Sequence, residues 1–462
     1  MTTMLGRRTL ARRTLGVVAV IALAGSLLAG CKSGPSLPHL NSPFARRQTE
    51  AQRAARHPER VSLLELNDQL RVSDALKGQD FFLPEPQPMA SWPLPGGTPE
   101  QSVENVAAAP DFAVAWRRNF GRPSNKAHHV TSPPIMADGK VFVMDGQAEV
   151  SAHDAATGAQ LWRTNLEPKS KRDREAFGGG LAYADGKVYA TSGFRLVAQI
   201  DAATGKVGWV TRTESPMHAA PTVSAGLVYS VDVDDELRTF GVGDGVAGWT
   251  YQGLTEPARI LAASSPAVTG DTLVASFASG ELVAMRASNG TELWNQGLSR
   301  ANRNNALSEI RDIAGRPVIY KGDVFAVSHS YVMAATDLRT GASRWTLPIS
   351  ATTTPWAAGD VVYVVDVAGQ VICISRQSGQ VYWIHDLNAG RKKDKRAIWS
   401  SPLLSSGRLV IVSSKGEAVA LNAKTGALQH SLKLGGDALI GPIAAGNMIY
   451  VTTDKAELVA IR

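Results

Sequence analysis

The feature that most constrains how this chain can fold is a sequence repeat that runs from residue 112 to the C-terminus. The unit reads roughly as a strand like Gly-x-Val-Tyr-Val, a second strand like Gly-x-Val-x-Ala-Leu-Asp, and a turn like Thr-Gly-x-x-x-Trp, with the clearest copies of the turn at Asp201–Trp209 and Asp337–Trp345. A period of about 44 residues with several short strands is typical of β-propeller blades. The units open at eight glycines: Gly139, Gly186, Gly226, Gly270, Gly322, Gly359, Gly407 and Gly446.

The residues of each unit explain why it forms a blade. Alternating apolar positions, such as Val361, Tyr363 and Val365, predict a strand with one buried face. Asp or Asn followed by Thr-Gly predicts a tight turn in which the glycine adopts a positive φ. A tryptophan after this turn is large enough to fill the wedge between neighbouring blades. These tryptophans are Trp162, Trp209, Trp249, Trp294, Trp345 and Trp383.

The last unit is incomplete, because it begins at Gly446 and the chain stops before any Thr-Gly-x-x-x-Trp strand. The missing strand stands at the start of the repeat region, as Phe112–Trp116. Pairing it with the last unit closes the ring and removes the open sheet edges that invite aggregation. We therefore predict an all-β fold, one eight-bladed β-propeller of four-stranded antiparallel blades over residues 111–462. The seventh unit departs from the pattern, since His430 stands where tryptophan is expected.

Residues 1–30 have the three parts of an export signal. Four arginines precede the apolar stretch 17–24, and small residues lead to Leu-Ala-Gly-Cys, which ends at Cys31. This tetrapeptide resembles the bacterial lipobox, in which the cysteine is acylated and becomes the new N-terminus; Lys32 after it favours sorting to the outer membrane. The arginine pairs leave the general and the twin-arginine export routes open. Without the four arginines the net charge falls from +7 to +3, which gives no support for nucleic-acid binding.

Residues 31–110 are predicted to be a tether between the lipid and the propeller. Five prolines between Pro84 and Pro95 favour extended polyproline conformation. The apolar residues of segment 61–70 could line one face of a short helix that packs on the propeller or on a partner.

No residue pattern indicates a metal or catalytic site. The acidic run Asp232–Glu236 lacks the glycine and distal glutamate of an EF-hand and is expected to be a hairpin turn. His128 and His129 have no identifiable partner ligand and are expected in a surface loop. Cys373 lies in an apolar run and is expected to be a small buried strand residue.

The repeats resemble those of quinoprotein dehydrogenases, which bind a quinone cofactor with Ca²⁺, commonly against a disulfide between adjacent cysteines. This chain has no adjacent cysteines. The lipobox, the Pro-rich segment and the eight units together resemble the BamB family of propeller lipoproteins in the outer-membrane β-barrel assembly machinery. That resemblance implies a non-enzymatic, cofactor-free scaffold on the periplasmic face of the outer membrane. Its partners would be a BamA-like protein and other assembly lipoproteins.

In the BamB family, docking on BamA uses two neighbouring loops. The first corresponds here to Ala258–Leu261 and the second to Glu309–Ala314. The family pattern in the first loop is Leu-x-Leu-Arg, from which Ala258 and Leu261 depart, and Ala314 replaces an aspartate in the second. The resemblance thus predicts these partner-binding residues: Arg259, Ile260, Leu261, Glu309, Arg311 and Asp312.

Two other functions stay open on the sequence. One is a propeller that binds a different periplasmic or cell-envelope ligand, for which the basic loop Arg391–Arg396 could meet anionic lipid head groups. The other is a quinoprotein dehydrogenase, which a change of absorbance on mixing with quinone and Ca²⁺ would reveal.

The N-terminal motif generates a first prediction. Replacement of Cys31 by alanine removes the only thiol at the lipobox, so the protein should be recovered soluble or unprocessed rather than bound to membranes. Membrane fractionation and labelling with radioactive palmitate measure this directly. A Cys31→Ala protein that still carried a lipid would contradict the assignment.

Overall fold

The repeat region folds as a ring of eight four-stranded sheets. We analysed a computed structural model, which describes residues 70–166, 177–256, 264–299 and 311–462. In all eight sheets the strands are antiparallel. In seven sheets the strands follow one another in sequence, and in the remaining sheet the N-terminal strand joins the last three strands of the chain. The predicted all-β, eight-bladed propeller is confirmed.

Blades one to four comprise the strands β2 (Ile135–Ala137), β3 (Lys140–Met144), β4 (Glu149–Asp154) and β5 (Gln160–Asn165); β6 (Gly179–Ala184), β7 (Lys187–Ser192), β8 (Leu196–Asp201) and β9 (Val207–Arg212); β10 (Thr222–Ser224), β11 (Leu227–Val231), β12 (Glu236–Gly241) and β13 (Ala247–Gln252); and β14 (Ala267–Thr269), β15 (Thr272–Ser276), β16 (Glu281–Arg286) and β17 (Glu292–Gly297).

Blades five to eight comprise β18 (Val318–Tyr320), β19 (Asp323–Val327), β20 (Met333–Asp337) and β21 (Ser343–Leu347); β22 (Trp356–Ala358), β23 (Val361–Val365), β24 (Gln370–Ser375) and β25 (Val381–Asp386); β26 (Leu403–Ser405), β27 (Arg408–Val412), β28 (Glu417–Asn422) and β29 (Leu428–Lys433); and β30 (Ile443–Ala445), β31 (Met448–Thr452), β32 (Glu457–Ile461) and β1 (Val114–Asn119). A 3-10 turn spans Lys393–Lys395.

The first strand closes the ring, as predicted. β1 pairs antiparallel with β32, with Trp116 opposite Ala460 and a register shift between Val114 and Trp116. The strand runs Val114–Asn119, slightly later than the expected 112–116, because Phe112 adopts a positive φ and belongs to the turn that precedes it. One continuous apolar cluster joins blade eight to both of its neighbours, blades seven and one.

Each propeller blade has two ends, which we name by the connections they carry. The loop rim holds the turns between the second and third strands, such as 145–148, and the loops that lead from one blade to the next. The turn rim holds the turns between the third and fourth strands, such as 202–206. These two sets lie at opposite ends of the same antiparallel strands.

Neighbouring blades are joined by the predicted tryptophans, which pack on the Thr-Gly turn of the next blade. In blade one, Trp162 donates its indole N–H to the carbonyl of Ala202 in the turn of blade two, at 3.1 Å. The same bond recurs around the ring, from Trp209 to Val242, Trp249 to Ala287, Trp294 to Leu338, and Trp345 to Arg376. The wedge predicted for these side chains is thus a specific contact with one turn.

Glycine is required in this turn for two reasons. The backbone has a positive φ there, and the tryptophan ring leaves no space for a Cβ atom. Gly205 has a φ of +74°, and a Cβ there would lie 2.7 Å from Cδ2 of Trp162. The aspartate that opens this turn, Asp201, accepts hydrogen bonds from the backbone and hydroxyl of Thr204. The ammonium group of Lys187 also donates a hydrogen bond to Asp201. This bond and those from Thr204 hold the pKa of Asp201 well below its usual range.

The exception at His430 has a structural reason. Its neighbour, blade eight, receives its outermost strand from the N-terminus and therefore has no turn between third and fourth strands for a tryptophan to cover. In place of that contact, the ring of Phe112 lies 5.7 Å from the imidazole of His430. Arg408 crosses the same seam and donates to the carbonyl of Ala109 at 2.6 Å.

The segment that precedes β1 lies at the centre of the ring. Residues 92–109 contact the innermost strand of blades one to seven and the turn that follows the innermost strand of blade eight. The hydrogen bonds that carry this path join Trp92 to Met136, Tyr183 to Pro93, Gln101 to Thr222, Val268 to Pro99, Ile319 to Glu100, Trp356 to Glu104, Ser406 to Val106, and Ala109 to Asn447. We call residues 92–109 the plug.

The expected boundary of the propeller at residue 111 therefore needs correction. Residues from Asp68 onward form one compact unit with the blades, and Trp92 is buried against the ring of Trp356. Prolines in the plug cannot donate hydrogen bonds, but their carbonyls accept them from the inner strands. In the segment predicted as a tether, the part that the structure describes is built into the fold.

Other expectations at the N-terminus lie outside the described residues, including the signal peptide, Cys31 and most of segment 61–70. Of that segment only Leu70 is described, and it packs half-buried against the cluster between blades five and six. In the described ranges no helix has the length and apolar character needed to cross a bilayer.

The contact between tryptophan and turn gives a prediction with a matched control. Gly205 and Gly186 have the same φ of +74°, but a Cβ at Gly186 would meet no atom within 4 Å. Gly205→Ala should therefore lower the free energy of unfolding by about 1–3 kcal/mol more than Gly186→Ala, because only the first displaces a tryptophan ring. Denaturant unfolding of both variants measures the difference; equal losses would mean that backbone strain alone requires the glycine.

Candidate partner interface

Taken as the whole connections between strands, 253–266 and 298–317, the two predicted docking loops have described ends that lie on the loop rim, where they lead into blades four and five. Of the residues expected to contact a partner, Arg259, Ile260, Leu261 and Glu309 fall outside the described residues. Arg311 and Asp312 are described, as is Glu256 at the start of the first loop.

An ion pair joins the described parts of the two loops. A guanidinium nitrogen of Arg311 lies 3.6 Å from a carboxylate oxygen of Glu256, and the Arg311 side chain is 49% exposed. The backbone carbonyl of Arg311 also sits so close to Gly280 that a Cβ there would approach it to 2.9 Å. Loops that are distant in sequence thus form one charged patch, although an exposed pair of this kind contributes little stability.

Asp312 is buried, so its side chain does not lie at the surface where a partner would contact it. The residue is buried at 2% exposure, and its carbonyl accepts a hydrogen bond from the backbone N–H of His329 at 2.9 Å. The next residue, Ile313, is buried in the cluster between blades four and five. Asp312 and Ile313 therefore hold the loop against the ring, while the guanidinium of Arg311 is exposed to solvent.

Two exposed apolar residues beside this patch were missed by the sequence reasoning. Leu254, in the first loop, is 66% exposed, and Tyr331, in a turn of blade five, is 49% exposed. Tyr331 also adopts a φ of +63°, a conformation that costs energy for an aromatic residue. The sequence offered one sign of this conformation at Tyr331. Three other blades carry glycine at the same position of the turn, at Gly280, Gly369 and Gly416.

The acidic run forms the expected turn, between β11 and β12. Asp232 is buried and accepts hydrogen bonds from the backbone N–H groups of Asp234 and Glu236. Its other oxygen lies 2.8 Å from Nε of Arg238. Over the described ranges, no three acidic, histidine or cysteine side chains are grouped as metal ligands.

The histidine pair and the second cysteine also occupy structural positions. His128 packs near the ring of Phe194, and His129 packs edge-on to Phe177. Cys373 is fully buried on β24, as expected, and burial raises the pKa of its thiol well above the usual value.

The basic loop forms a second exposed feature of the loop rim, between blades six and seven. Arg391 at its start is held by Glu417 at 2.6 Å and lies over the ring of Trp399. The remaining residues, 392–396, are exposed, and Ile398 behind them is 66% exposed. The loop therefore presents several cations beside one apolar side chain.

Comparison with known proteins places this architecture in a family. The model described as "Outer membrane protein assembly factor BamB" matches residues 146–385 and 388–462. The chain belongs to the BamB family. A model for the β-propeller domain of glucose, ethanol and alcohol dehydrogenases matches residues 102–187 only, so the likeness to dehydrogenase repeats covers a minor part of the chain.

Curated BamB proteins resemble the chain over most of its length. Outer membrane protein assembly factor BamB of Yersinia pestis is 25% identical over 382 residues, which are 81% of this chain and 93% of that protein. The BamB of Moranella endobia is 25% identical over 332 residues, or 71% of this chain and 84% of the relative.

Solved structures show the shared fold. The crystal structure of BamB from Moraxella catarrhalis superposes with a TM-score of 0.63 at 18% identity, over 75% of this chain and 99% of that one. A europium-containing methanol dehydrogenase superposes with a TM-score of 0.64 at 14% identity, over 78% and 89%. The propeller is therefore common to BamB proteins and to dehydrogenases, and the architecture alone does not distinguish them.

Proposed function

We propose that this chain is a non-enzymatic scaffold of outer membrane protein assembly, held at the periplasmic face of the outer membrane by a lipid on Cys31. It docks on periplasmic domains of a BamA-like protein and assists the folding and insertion of outer-membrane proteins. Membership of the BamB family carries the proposal, and the lipobox at Cys31 supports the location. Residues between Cys31 and the compact unit that begins at Asp68 supply the tether.

The loop rim at blades four and five is the proposed docking surface. Arg311 supplies an exposed charge and Glu256 a half-buried one, and Leu254 and Tyr331 supply exposed apolar area on the same rim. A few apolar anchors among charged neighbours are what a modest protein interface requires. Arg259, Ile260, Leu261 and Glu309 would extend this surface from the same two loops, while the buried Asp312 would support it from below.

A double charge reversal tests the docking surface. Arg259→Glu with Arg311→Glu should reduce copurification of the BamA-like partner from membranes at least tenfold, because a surface complementary to the arginines would repel the new charges. The variant should keep its thermal stability, since the exposed Arg311–Glu256 pair contributes little.

The matched control places the same change on the opposite rim. Lys206 and Arg339 are exposed residues in the turns of blades two and five on the turn rim, and Lys206→Glu with Arg339→Glu changes the net charge equally. This control should copurify the partner at the wild-type level. If the loop-rim variant is folded and retains the partner as well as the control does, docking occurs elsewhere.

The basic loop favours a second candidate function, contact with an anionic membrane surface. The exposed cations of residues 392–396 and the exposed Ile398 suit lipid head groups. Replacing Lys392, Lys393, Lys395 and Arg396 by glutamine should then weaken cosedimentation with vesicles containing phosphatidylglycerol, and raised salt should weaken the wild type similarly. Equal sedimentation of both proteins would dismiss this role.

A further inference from the structure

A cavity of about 300 Å³ opens on the loop rim around the axis of the propeller. Its lining residues come from six blades, and all of them except Asp454 stand at or just before an innermost strand, so they surround the axis. Most of the wall is apolar, with Val130, Phe177, Leu439 and Ile440 among its members. The volume is that of about ten water molecules in the liquid, which is enough for a group the size of an aromatic side chain.

Among the described residues, Arg316 reaches this cavity without an acidic partner. Arg316, just before the inner strand of blade five, lines the cavity, and its Nε is buried without a hydrogen-bond partner. Its backbone N–H is bound to Thr354, but within the part of the chain that the structure describes no acidic side chain pairs with its guanidinium. Burial lowers the pKa of Arg316 to about 10.

A half-buried guanidinium whose Nε has no hydrogen-bond partner is costly for the protein on its own. Desolvation of a charge is repaid only when an opposite charge or several hydrogen-bond acceptors replace the lost water. An anion in the cavity would provide that replacement, and the fork of N–H groups on arginine matches a carboxylate in two parallel bonds.

The other charged groups of the cavity restrict which anion fits. Asp454 lines the wall from blade eight, and burial together with the nearby Asp437 raises its pKa. His129 and His218 also line the cavity and pack on the edges of Phe177, at 5.8 and 5.9 Å between ring centres. Because Asp454 brings negative charge to the same space, a single carboxylate suits the cavity better than a phosphate dianion.

We propose that the axial cavity binds a monocarboxylate attached to an apolar or aromatic group, with Arg316 pairing to the carboxylate and Phe177, Val130 and Leu439 covering the apolar part. Two sources share this chemistry, the C-terminal end of a polypeptide and a small organic acid. Neither Arg311 nor Glu256 lines the cavity, although Ala314 of the second docking loop does, and the inference does not depend on the proposed partner.

Calorimetric titration of the full-length protein with N-acetyl-phenylalanine tests the site, with N-acetyl-phenylalanine amide as the uncharged match. The acid should bind and the amide should bind at least tenfold more weakly. Arg316→Gln should weaken binding of the acid at least tenfold, because it removes the charged fork. Arg339→Gln, which changes an exposed arginine on the turn rim, should bind the acid as the wild type does.

A pair of pentapeptides ending in phenylalanine, one with a free and one with an amidated C-terminus, distinguishes the two sources. Binding of the free peptide at least as tight as that of the acid indicates polypeptide C-termini. Binding of the small acid alone indicates an organic acid. Failure of both probes to bind, equal binding of acid and amide, or unchanged binding by Arg316→Gln would overturn the proposal.

Stability measurements separate a binding role from a structural one. Arg316→Gln removes a half-buried charge whose Nε has no hydrogen-bond partner, so its melting temperature without ligand should equal or exceed that of the wild type. Arg316→Lys keeps the charge without the fork, and it should bind the acid more weakly than the wild type but still prefer it to the amide. Loss of that preference in a folded Arg316→Lys protein would also count against the site.

Discussion

The contact between a tryptophan and the turn of the next blade is the interaction on which the ring depends. Blades are otherwise separate sheets, and no backbone hydrogen-bond ladder crosses from one fourth strand to its neighbour in the described ranges. Each tryptophan provides a large buried surface and, in five blades, an indole N–H bonded to a turn carbonyl. Loss of a buried tryptophan typically costs about 3–5 kcal/mol, so a contact of considerable size stabilises every blade boundary except the one between blades seven and eight, where His430 replaces the tryptophan.

The plug provides the complementary stabilisation at the axis. Innermost strands present an unpaired edge in any propeller, and an open edge can pair with other chains. Residues 92–109 contact these edges in seven blades and the adjoining turn in the eighth, through one or two backbone or side-chain hydrogen bonds at a time rather than a ladder. The prolines of this region suit the task, because the segment must change partner at every blade and cannot continue any one ladder. The seam of the ring is likewise closed by residues that precede the first repeat, Phe112 and Ala109.

This arrangement leaves the loop rim as the variable surface of the molecule. The turn rim is repetitive, since each turn must fit a tryptophan. Loops between blades have no such constraint, and they carry the exposed residues Leu254, Arg311 and Ile398 as well as the entrance of the axial cavity.

The sequence by itself determined the number of blades, their strands and the closure of the ring, because these follow from a local pattern that repeats with a fixed period. It also placed Trp162 and its equivalents between blades and Cys373 in the core. Only the tertiary structure decided the path of residues 70–111, since a proline-rich segment has the same local conformation in a tether and in a plug, and its partners are spread over the whole chain. Tertiary structure likewise decided that Asp312 is buried while Arg311 is exposed, and that Arg316 stands beside a cavity with no acidic partner among the described residues. Such facts depend on which side chains meet across blades, and no local pattern records them.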